Sequence, residues 1–304
     1  MSKRSVTSTR HPALRQALDW TVARVPRLQR LQTRRRLLAR MHQALGYRPN
    51  LRNPRTFNEK IAWRMLHDRN PLIPLTTDKI AVRNWVAARL GQEVLVPLLG
   101  VWDYAADIPW DALPSSFVLK ASHGWNMNLL VRDKRTVDRA SALATADQWL
   151  RTSHDAETGE WGYRSVPHRL LAETLLVDEA GDVPADIKLH VFGGRMRMFE
   201  VHSGRFDDHR SAYFGTAMQR LPFTHFLPPD HDWTPPPNIA ELIRIAECLG
   251  APFDYVRVDL YAIGGVAYFG ELTHYQGSAC IAFVPPEYDR IVGDMWELPK
   301  TRHR

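Results

Sequence analysis

Two short segments near the C-terminus constrain the fold more than any other part of the chain. Val256, Val258 and Leu260 alternate with Arg257, Asp259 and Tyr261, and beyond Gly264-Gly265 comes the run Tyr268-Phe269-Gly270-Glu271-Leu272-Thr273. Alternation with period two puts the valines and Leu260 on one face of a strand and the charged residues on the other. The segments therefore predict a β-hairpin with one apolar face and one chemically dense face, on which Glu271 and Thr273 lie together. If the turn holds an odd number of residues, Asp259 stands opposite Glu271 and Arg257 opposite Thr273. An even, two-residue Gly-Gly turn instead sends the carboxylates to opposite faces and removes the site. Two facing carboxylates are costly without a cation between them, and Mg²⁺ suits such a pair because it takes hard oxygen ligands and keeps positions for water and phosphate. The competing reading, which spacing alone leaves ahead, is a solvated strand face with an Arg-Asp pair.

The rest of the chain from about residue 50 reads as an ordered α+β domain. Residues 117–120, 129–132, 170–177, 187–192 and 195–202 are short β-rich runs, and Gly193-Gly194 joins the last two as a hairpin. Residues 77–90 predict a helix with Thr77 as its cap and Gly91 as its stop. Residues 238–249 predict a second, with Asn238 and Glu241 at capping-box spacing and Gly250 at its end. The Pro-rich residues 227–237 read as an exposed loop. A length of 304 residues, 44% of them hydrophobic, is enough for a buried core and excludes a wholly disordered chain. Two cysteines, Cys248 and Cys280, build neither a disulfide framework nor a four-cysteine zinc site. No early stretch has a signal peptide's apolar core, and no run approaches the roughly 20 apolar residues of a membrane span. The expectation is a cytoplasmic protein.

The net charge of +7 is unevenly placed. Residues 1–40 hold eleven Lys and Arg against one acid, Asp19, a local +10, so the remainder carries −3. Within this segment Leu14, Leu18, Val22 and Val25, then Leu28, Leu31, Leu37, Leu38 and Met41, recur at helical spacing with a break near Pro26. Residues 1–48 are expected to form a basic helical arm, with one domain over 49–304. The arm either lies against the inner face of an anionic membrane or packs on its own domain with a solvated arginine face. No nucleic-acid-binding motif accompanies it, so no nucleic acid is expected as a partner.

Lysine placement supplies a second chemical signal. Lys120 ends Phe117-Val118-Leu119-Lys120, ahead of the small polar loop Ala121-Ser122-His123-Gly124-Trp125-Asn126-Met127-Asn128. A point charge leaving a strand beside loop amides suits phosphate binding, although the glycine spacing of a P-loop is absent. His123 either orders that loop or packs beneath it. Lys188 is a second strand lysine, and either one alone is more often a strand-end side chain reaching solvent. Between them Glu173 sits within an apolar run and Asp178 at its exit, as in a connection between lobes that holds an adenine edge and a ribose hydroxyl. The plain alternative is a strand with two surface acids. Arg205, Asp207, His209 and Arg210 form a cluster that could hold an anion or be a solvated loop. Asp230-His231-Asp232 is an Asp-x-Asp of the kind that binds a metal and a sugar nucleotide in glycosyltransferases, but it lies in the Pro-rich loop and not at a strand end.

Asn58-Glu59-Lys60-Ile61-Ala62-Trp63, Asp68-Arg69-Asn70-Pro71-Leu72, Asp78-Lys79 with Arg83, Val96-Pro97-Leu98-Leu99-Gly100-Val101-Trp102, the Lys120 strand with His123-Gly124, and the hairpin from Arg257 to Thr273 occur in this order. Together they resemble the TupA-like, teichuronopeptide-biosynthesis branch of the ATP-grasp superfamily over about residues 50–300. The resemblance implies two α+β lobes that clamp ATP, meeting near residues 170–180. It implies that Lys120 and Lys188 contact phosphates and purine, with His123 and Gly124 in the nucleotide loop, Glu173 at the adenine hinge and Asp178 at the ribose. Asp259 and Glu271 match the magnesium carboxylates, Thr273 stands where the superfamily usually has Asn, and Arg257 matches the arginine that steadies the transferred phosphoryl group. Lys120 and Arg257 would be catalytic. Arg205, His209, Arg210, Gln276 and Ser278 would face the acceptor. Ala279 departs from the branch's Gly-Ser-Gly-like turn, which bears on acceptor specificity. The implied cofactors are ATP and Mg²⁺, the substrate a carboxylate-bearing saccharide or amino acid, and the activity an ADP-forming carboxylate-amine ligase of surface polysaccharide biosynthesis. Two alternatives remain open, a glycosyltransferase and a non-catalytic ATP-binding module.

Overall fold

A computed structural model describes residues 26–205 and 208–299. The expected helix before Pro26 and the cluster member Asp207 lie outside these residues. Two antiparallel sheets organise the chain. The first contains β1 (Leu98–Trp102), β2 (Phe117–Ala121), β3 (Asn128–Val131) and β4 (Leu170–Thr174) in the order β1-β4-β2-β3. The second contains β5 (Asp186–Phe192), β6 (Arg195–Ser203), β7 (Arg210–Gly215), β8 (Tyr255–Ile263) and β9 (Val266–Thr273) in the order β7-β6-β5-β8-β9. The chain crosses between the sheets at residues 175–185.

Each sheet buries its apolar face under helices. In the second sheet Leu189, Phe199, Val256, Val258 and Leu260 pack against Leu242, Ile245, Ala246 and Leu249, and against Val82, Trp85 and Val86. In the first, Phe117, Leu119 and Ala172 pack against Ala142 and Ala146 of a helix over Arg139–Arg151. A third cluster joins α1 (Pro26–Leu45), through Leu37 and Met41, to α2 (Phe57–His67) and to Trp296 near the C-terminus. The described part of the basic arm thus lies on the body. Arg40 donates to the carbonyls of Thr158 (3.1 Å) and Ser278 (3.3 Å), while Arg30, Arg34, Arg35 and Arg36 stay exposed. Among the described residues no helix is long and apolar enough to cross a membrane.

Three local expectations are corrected. The helix expected over residues 77–90 begins only at Ala81, as α4 (Ala81–Leu90), and its expected cap Thr77 is the last residue of a separate helix, α3 (Leu72–Thr77). Asp78 separates them: its N–H closes α3 on Pro74 O, and its Oδ1 accepts from Ile80 N at 2.8 Å. Asn238 precedes α7, named in chain order after α5 (Arg139–Arg151) and α6 (His154–Thr158), with α7 over Ile239–Gly250. It makes no side-chain cap, because its Nδ2 donates instead to Gly265 O at 2.9 Å. A capping box does form at Thr56 and Glu59, at the start of α2.

The third correction concerns the hairpin. Its turn is the two-residue Gly264-Gly265, with Ile263 paired to Val266, the case that should separate the carboxylates. A bulge intervenes: Leu260 pairs with Phe269 but Asp259 with Glu271, leaving Gly270 as the extra residue. The bulge reverses the alternation once and returns Glu271 to the face of Asp259. Glycine suits the position, since a Cβ there would sit 3.1 Å from Asp259 O and 3.2 Å from the Tyr261 ring.

Candidate nucleotide-binding cleft

Strand register places the chemistry of the second sheet in rows across its open face. One row reads Tyr213, Glu200, Lys188, Asp259, Glu271 from β7 to β9, and beside it lie His190, Arg257 and Thr273. Residues directly opposite in an antiparallel ladder share a face, so five strands deliver one polar surface.

Its centre is Asp259, only 3% exposed. Lys188 Nζ reaches Asp259 Oδ2 at 2.7 Å, and Arg257 grips both oxygens, Nε to Oδ1 and Nη2 to Oδ2, each at 2.7 Å. Arg257 Nη2 also donates to Thr273 Oγ1 at 2.9 Å and lies 3.4 Å from Glu271 Oε1. Burial alone would lower the Lys188 ammonium, but Asp186 and Asp259 hold it above its ordinary range. Burial would likewise raise the Glu271 carboxyl, yet Lys79, Arg257 and Lys188 bring it down to about 2.

The first sheet supplies the facing wall. Glu173 on β4 receives Lys120 Nζ and Arg83 Nη1, each at 2.6 Å, and Arg83 Nη2 also donates to Val96 O at 2.7 Å. Between the walls runs the loop after β2. Ser122 anchors it through Pro167 O (2.7 Å) and Arg169 O, and Lys79 Nζ donates to Gly124 O. Gly124 is required by contact, because a Cβ would strike the His154 ring. Lys79, Lys120, Lys188, Arg257, Asp259 and Glu271 line one cavity of about 390 Å³, bounded at its other end by Val118 and residues 174–176.

Several expected residues sit elsewhere. His123 turns beneath the loop, stacked 3.7 Å from His168 with Nε2 2.9 Å from Trp149 O, and burial lowers its imidazole to about 4. Asp178 caps a turn through Ala180 N and Asp182 N and borders a neighbouring cavity beyond Pro184. Arg205 and His209 line the main cavity, Arg205 on Asp186 at 2.6 Å, whereas Arg210 is exposed on Asp208. Gln276 bridges Arg257 and Glu200. Ser278 donates to Glu160. Asp230 of the Asp-x-Asp is already occupied, accepting from Ser203 Oγ at the end of β6 and from Asp232 N and Trp233 N in its own loop. Asn58, Glu59 and Lys60 are structural: Asn58 exchanges hydrogen bonds with Ile281, Glu59 caps α2, and Lys60 reaches Gly293 O. Lys79, which lines the cavity, and Arg83, which holds Glu173 beside it, have roles that the sequence alone left undecided. The available signal was their place just ahead of and within a short helix, next to Asp78.

The donor set fits magnesium chemistry. Asp259, Glu271 and Thr273 offer hard oxygens on adjacent strands, and phosphate oxygens and water would complete an octahedron. Among the described residues no group of three or more His, Cys, Asp and Glu is arranged to hold a metal without such help.

Glu160 lies at the cleft's edge, buried beside Trp125 and Ser278, and burial raises its carboxyl to about 7 against the opposing Ser278 hydrogen bond and Arg40 charge. A raised folded value means that its stabilising contribution is present below the ordinary 4.5 and is lost as pH rises through about 7. Glu160→Gln should therefore unfold at a higher temperature than wild type at pH 8.5 and at the same temperature at pH 5. Equal melting curves at both pH values would refute this.

The model of the TupA-like ATP-grasp family matches residues 59–297. No curated protein matches the chain significantly. Among solved structures, D-alanine–D-alanine ligase from Bacillus anthracis, complexed with ATP, is 15% identical with a TM-score of 0.44 over 73% of this chain and 63% of that one. This chain therefore spans less than two thirds of that ligase's length. A RimK domain ATP-grasp protein from Sphaerobacter thermophilus is 12% identical, with a TM-score of 0.40 over 78% of this chain and 69% of that one. Phosphoribosylamine–glycine ligase from Thermotoga maritima is 11% identical, with a TM-score of 0.42 over 69% and 51%. The family match contains both sheets and every cleft residue from Lys79 to Glu271, and with it the chain belongs to the TupA-like family and has the ATP-grasp fold.

Proposed function

We propose that the protein is an ATP-dependent, ADP-forming carboxylate-amine ligase. The observation that carries this reading is the single cavity in which lysines from both sheets face the Asp259–Glu271 pair around Arg257. ATP would lie with its adenine against Val118 and the backbone of residues 174–176 and its phosphates among Lys79, Lys120 and Lys188. Asp259 and Glu271, with Thr273, would hold Mg²⁺, which supplies charge neutralisation at the phosphates. A substrate carboxylate oxygen attacks the γ-phosphorus and ADP leaves, giving an acyl-phosphate. Arg257 and the lysines stabilise the charge on the moving phosphoryl oxygens. An amine then attacks the acyl carbon and inorganic phosphate leaves. Positioning and electrostatics do this work, so no serine or cysteine nucleophile is needed.

Arg205 and His209 at the rim, with Gln276, suit an anionic acceptor such as a uronic-acid carboxylate. Surface polysaccharide modification on the cytoplasmic side of a membrane, with the exposed arginines of the arm toward anionic lipid, is the setting that fits this substrate class. Purified protein incubated with ATP, Mg²⁺, a uronic-acid saccharide and an amino acid should release ADP and phosphate in equal amounts. Lys120→Ala should raise the KM for ATP about tenfold or more with little loss of stability, because Arg83 remains on Glu173. An unchanged KM for ATP in Lys120→Ala would remove this lysine from the phosphate site.

A further inference from the structure

One acid on the polar face of the second sheet has no part in the chemistry above. Glu200, on β6 beside Lys188, is 0% exposed. Its Oε1 accepts from Gln276 Nε2 at 3.0 Å and lies 3.8 Å from Arg257 Nη1. Its Oε2 accepts from His225 Nε2 at 3.0 Å, with His202 Nε2 at 3.8 Å, and His190 Nε2 lies 3.7 Å from Oε1. Burial by itself would raise this carboxyl, yet the three histidines hold it well below the ordinary range, so the group is a carboxylate. A fully buried charge is expensive even when paired, and an apolar side chain would fill the same volume at less cost. What it holds in place accounts for its presence.

A carboxylate only accepts hydrogen bonds, whereas an amide presents a donor on one side and an acceptor on the other. Facing Glu200, Gln276 must turn its Nε2 inward. Its Oε1 is then left for Arg257, whose Nη1 donates to it at 2.5 Å. The guanidinium is fixed on three sides, by Asp259 through Nε and Nη2, by Thr273 through Nη2 and by Gln276 through Nη1. Without the inner carboxylate the Gln276 amide is free to flip and set its NH₂ against the arginine, donor against donor.

We propose that Glu200 is the positioning residue of Arg257, acting through the Gln276 amide, whose orientation the buried carboxylate dictates. The proposal rests on the ligase reading for what Arg257 does, while the relay itself is a matter of geometry. Glu200→Gln is nearly isosteric and leaves the amide orientation undetermined. Its kcat for ADP formation should fall about 100-fold, the scale of losing one transition-state donor, with the KM for ATP within about twofold of wild type. The exchange variant Glu200→Gln/Gln276→Glu restores the polarity of the relay, since the new carboxylate at 276 accepts from Arg257 and the new amide at 200 donates to it. It should regain kcat to within about fivefold of wild type, a non-additivity expected only of directly coupled residues.

Thermal unfolding followed in parallel separates misfolding from misplacement. The Nε–H resonance of Arg257, identified by its loss in Arg257→Lys, supplies a readout that does not depend on turnover. It should shift in Glu200→Gln and return in the exchange variant. If wild type forms no ADP, the ligase reading falls and this resonance alone decides the relay. A folded Glu200→Gln variant with unchanged kcat and an unshifted resonance overturns the proposal. An exchange variant that restores neither quantity overturns it as well.

Discussion

Replacing Glu271 with alanine is expected to abolish ADP formation while leaving the protein nearly as stable as wild type. The separation follows from how unequally the two facing carboxylates are held. Asp259 is buried and held by Lys188 and Arg257, so its removal takes the shared anion from a nearly buried lysine and arginine and damages fold and chemistry together. The Glu271 side chain is 37% exposed, and among the described residues it takes hydrogen bonds from Thr273 Oγ1 at 3.1 Å and Arg257 Nη2 at 3.4 Å. Losing it should cost about 1 kcal/mol of stability or less. Turnover should drop by about 1000-fold or more, because on the proposed ligase reading the metal would lose one of two protein carboxylates at the place where phosphoryl charge develops. The same side chain has a signature in acid. Its carboxyl lies near 2 in the fold against an ordinary 4.5, so its contribution is present above 4.5 and fades as pH falls toward 2. Glu271→Ala should remove that part of the acid limb. Wild-type turnover in a folded Glu271→Ala protein would sink the ligase assignment.

Arg64→Ala should cause the largest loss of stability, about 3–5 kcal/mol in urea unfolding, the range for breaking a buried ion pair from one side. Arg64 on α2 is 1% exposed. Its guanidinium donates to Tyr255 O at 2.7 Å and to Asp254, lies 3.4 Å from Asp68, and stacks 4.5 Å from the centroid of the Trp296 ring. Truncation leaves Asp68 buried without its cation and opens the space beside Trp296. Tyr255 begins the strand that carries Arg257 two residues later, so the substitution also loosens the anchor of that strand. Arg64→Lys should recover little, since an ammonium cannot reach the carbonyl and both carboxylates at once. A loss below about 1 kcal/mol would show that solvent or neighbouring cations replace the arginine.

Legibility in the sequence followed the range of the interaction that decides each feature. The strand around Asp259, the turn at Gly264-Gly265, the hairpin at Gly193-Gly194 and the strand ending at Lys120 were readable because alternation and turn chemistry act between neighbours. A helix boundary failed where a side chain found a distant partner. Asn238 left its own helix for Gly265 O, whereas the helix expected from Thr77 starts late for a local reason, the turn in which Asp78 Oδ1 accepts from Ile80 N. His123 was readable as part of the loop but not as the residue beneath it, since its partners Trp149 and His168 come from a different stretch of chain. Glu200 carried no local signal at all. It is one acid in a β-rich run, and its histidines and Gln276 converge on it only after four strands and a loop have assembled.

The sequence by itself determined that Asp259, Glu271, Arg257, Lys120 and Lys188 stand on strands, because apolar alternation leaves those positions no other local structure. The tertiary structure decided which of them meet. By the two-residue turn alone, Asp259 and Glu271 belong on opposite faces, and the bulge at Gly270 brings them together. That bulge depends on burying Phe269 and Leu272 together with Leu260, and on the contact of Gly270 with Asp259 O. Local pattern fixes direction along a strand, but facing across a sheet is a balance of register and packing that exists only once the neighbouring strands are in place.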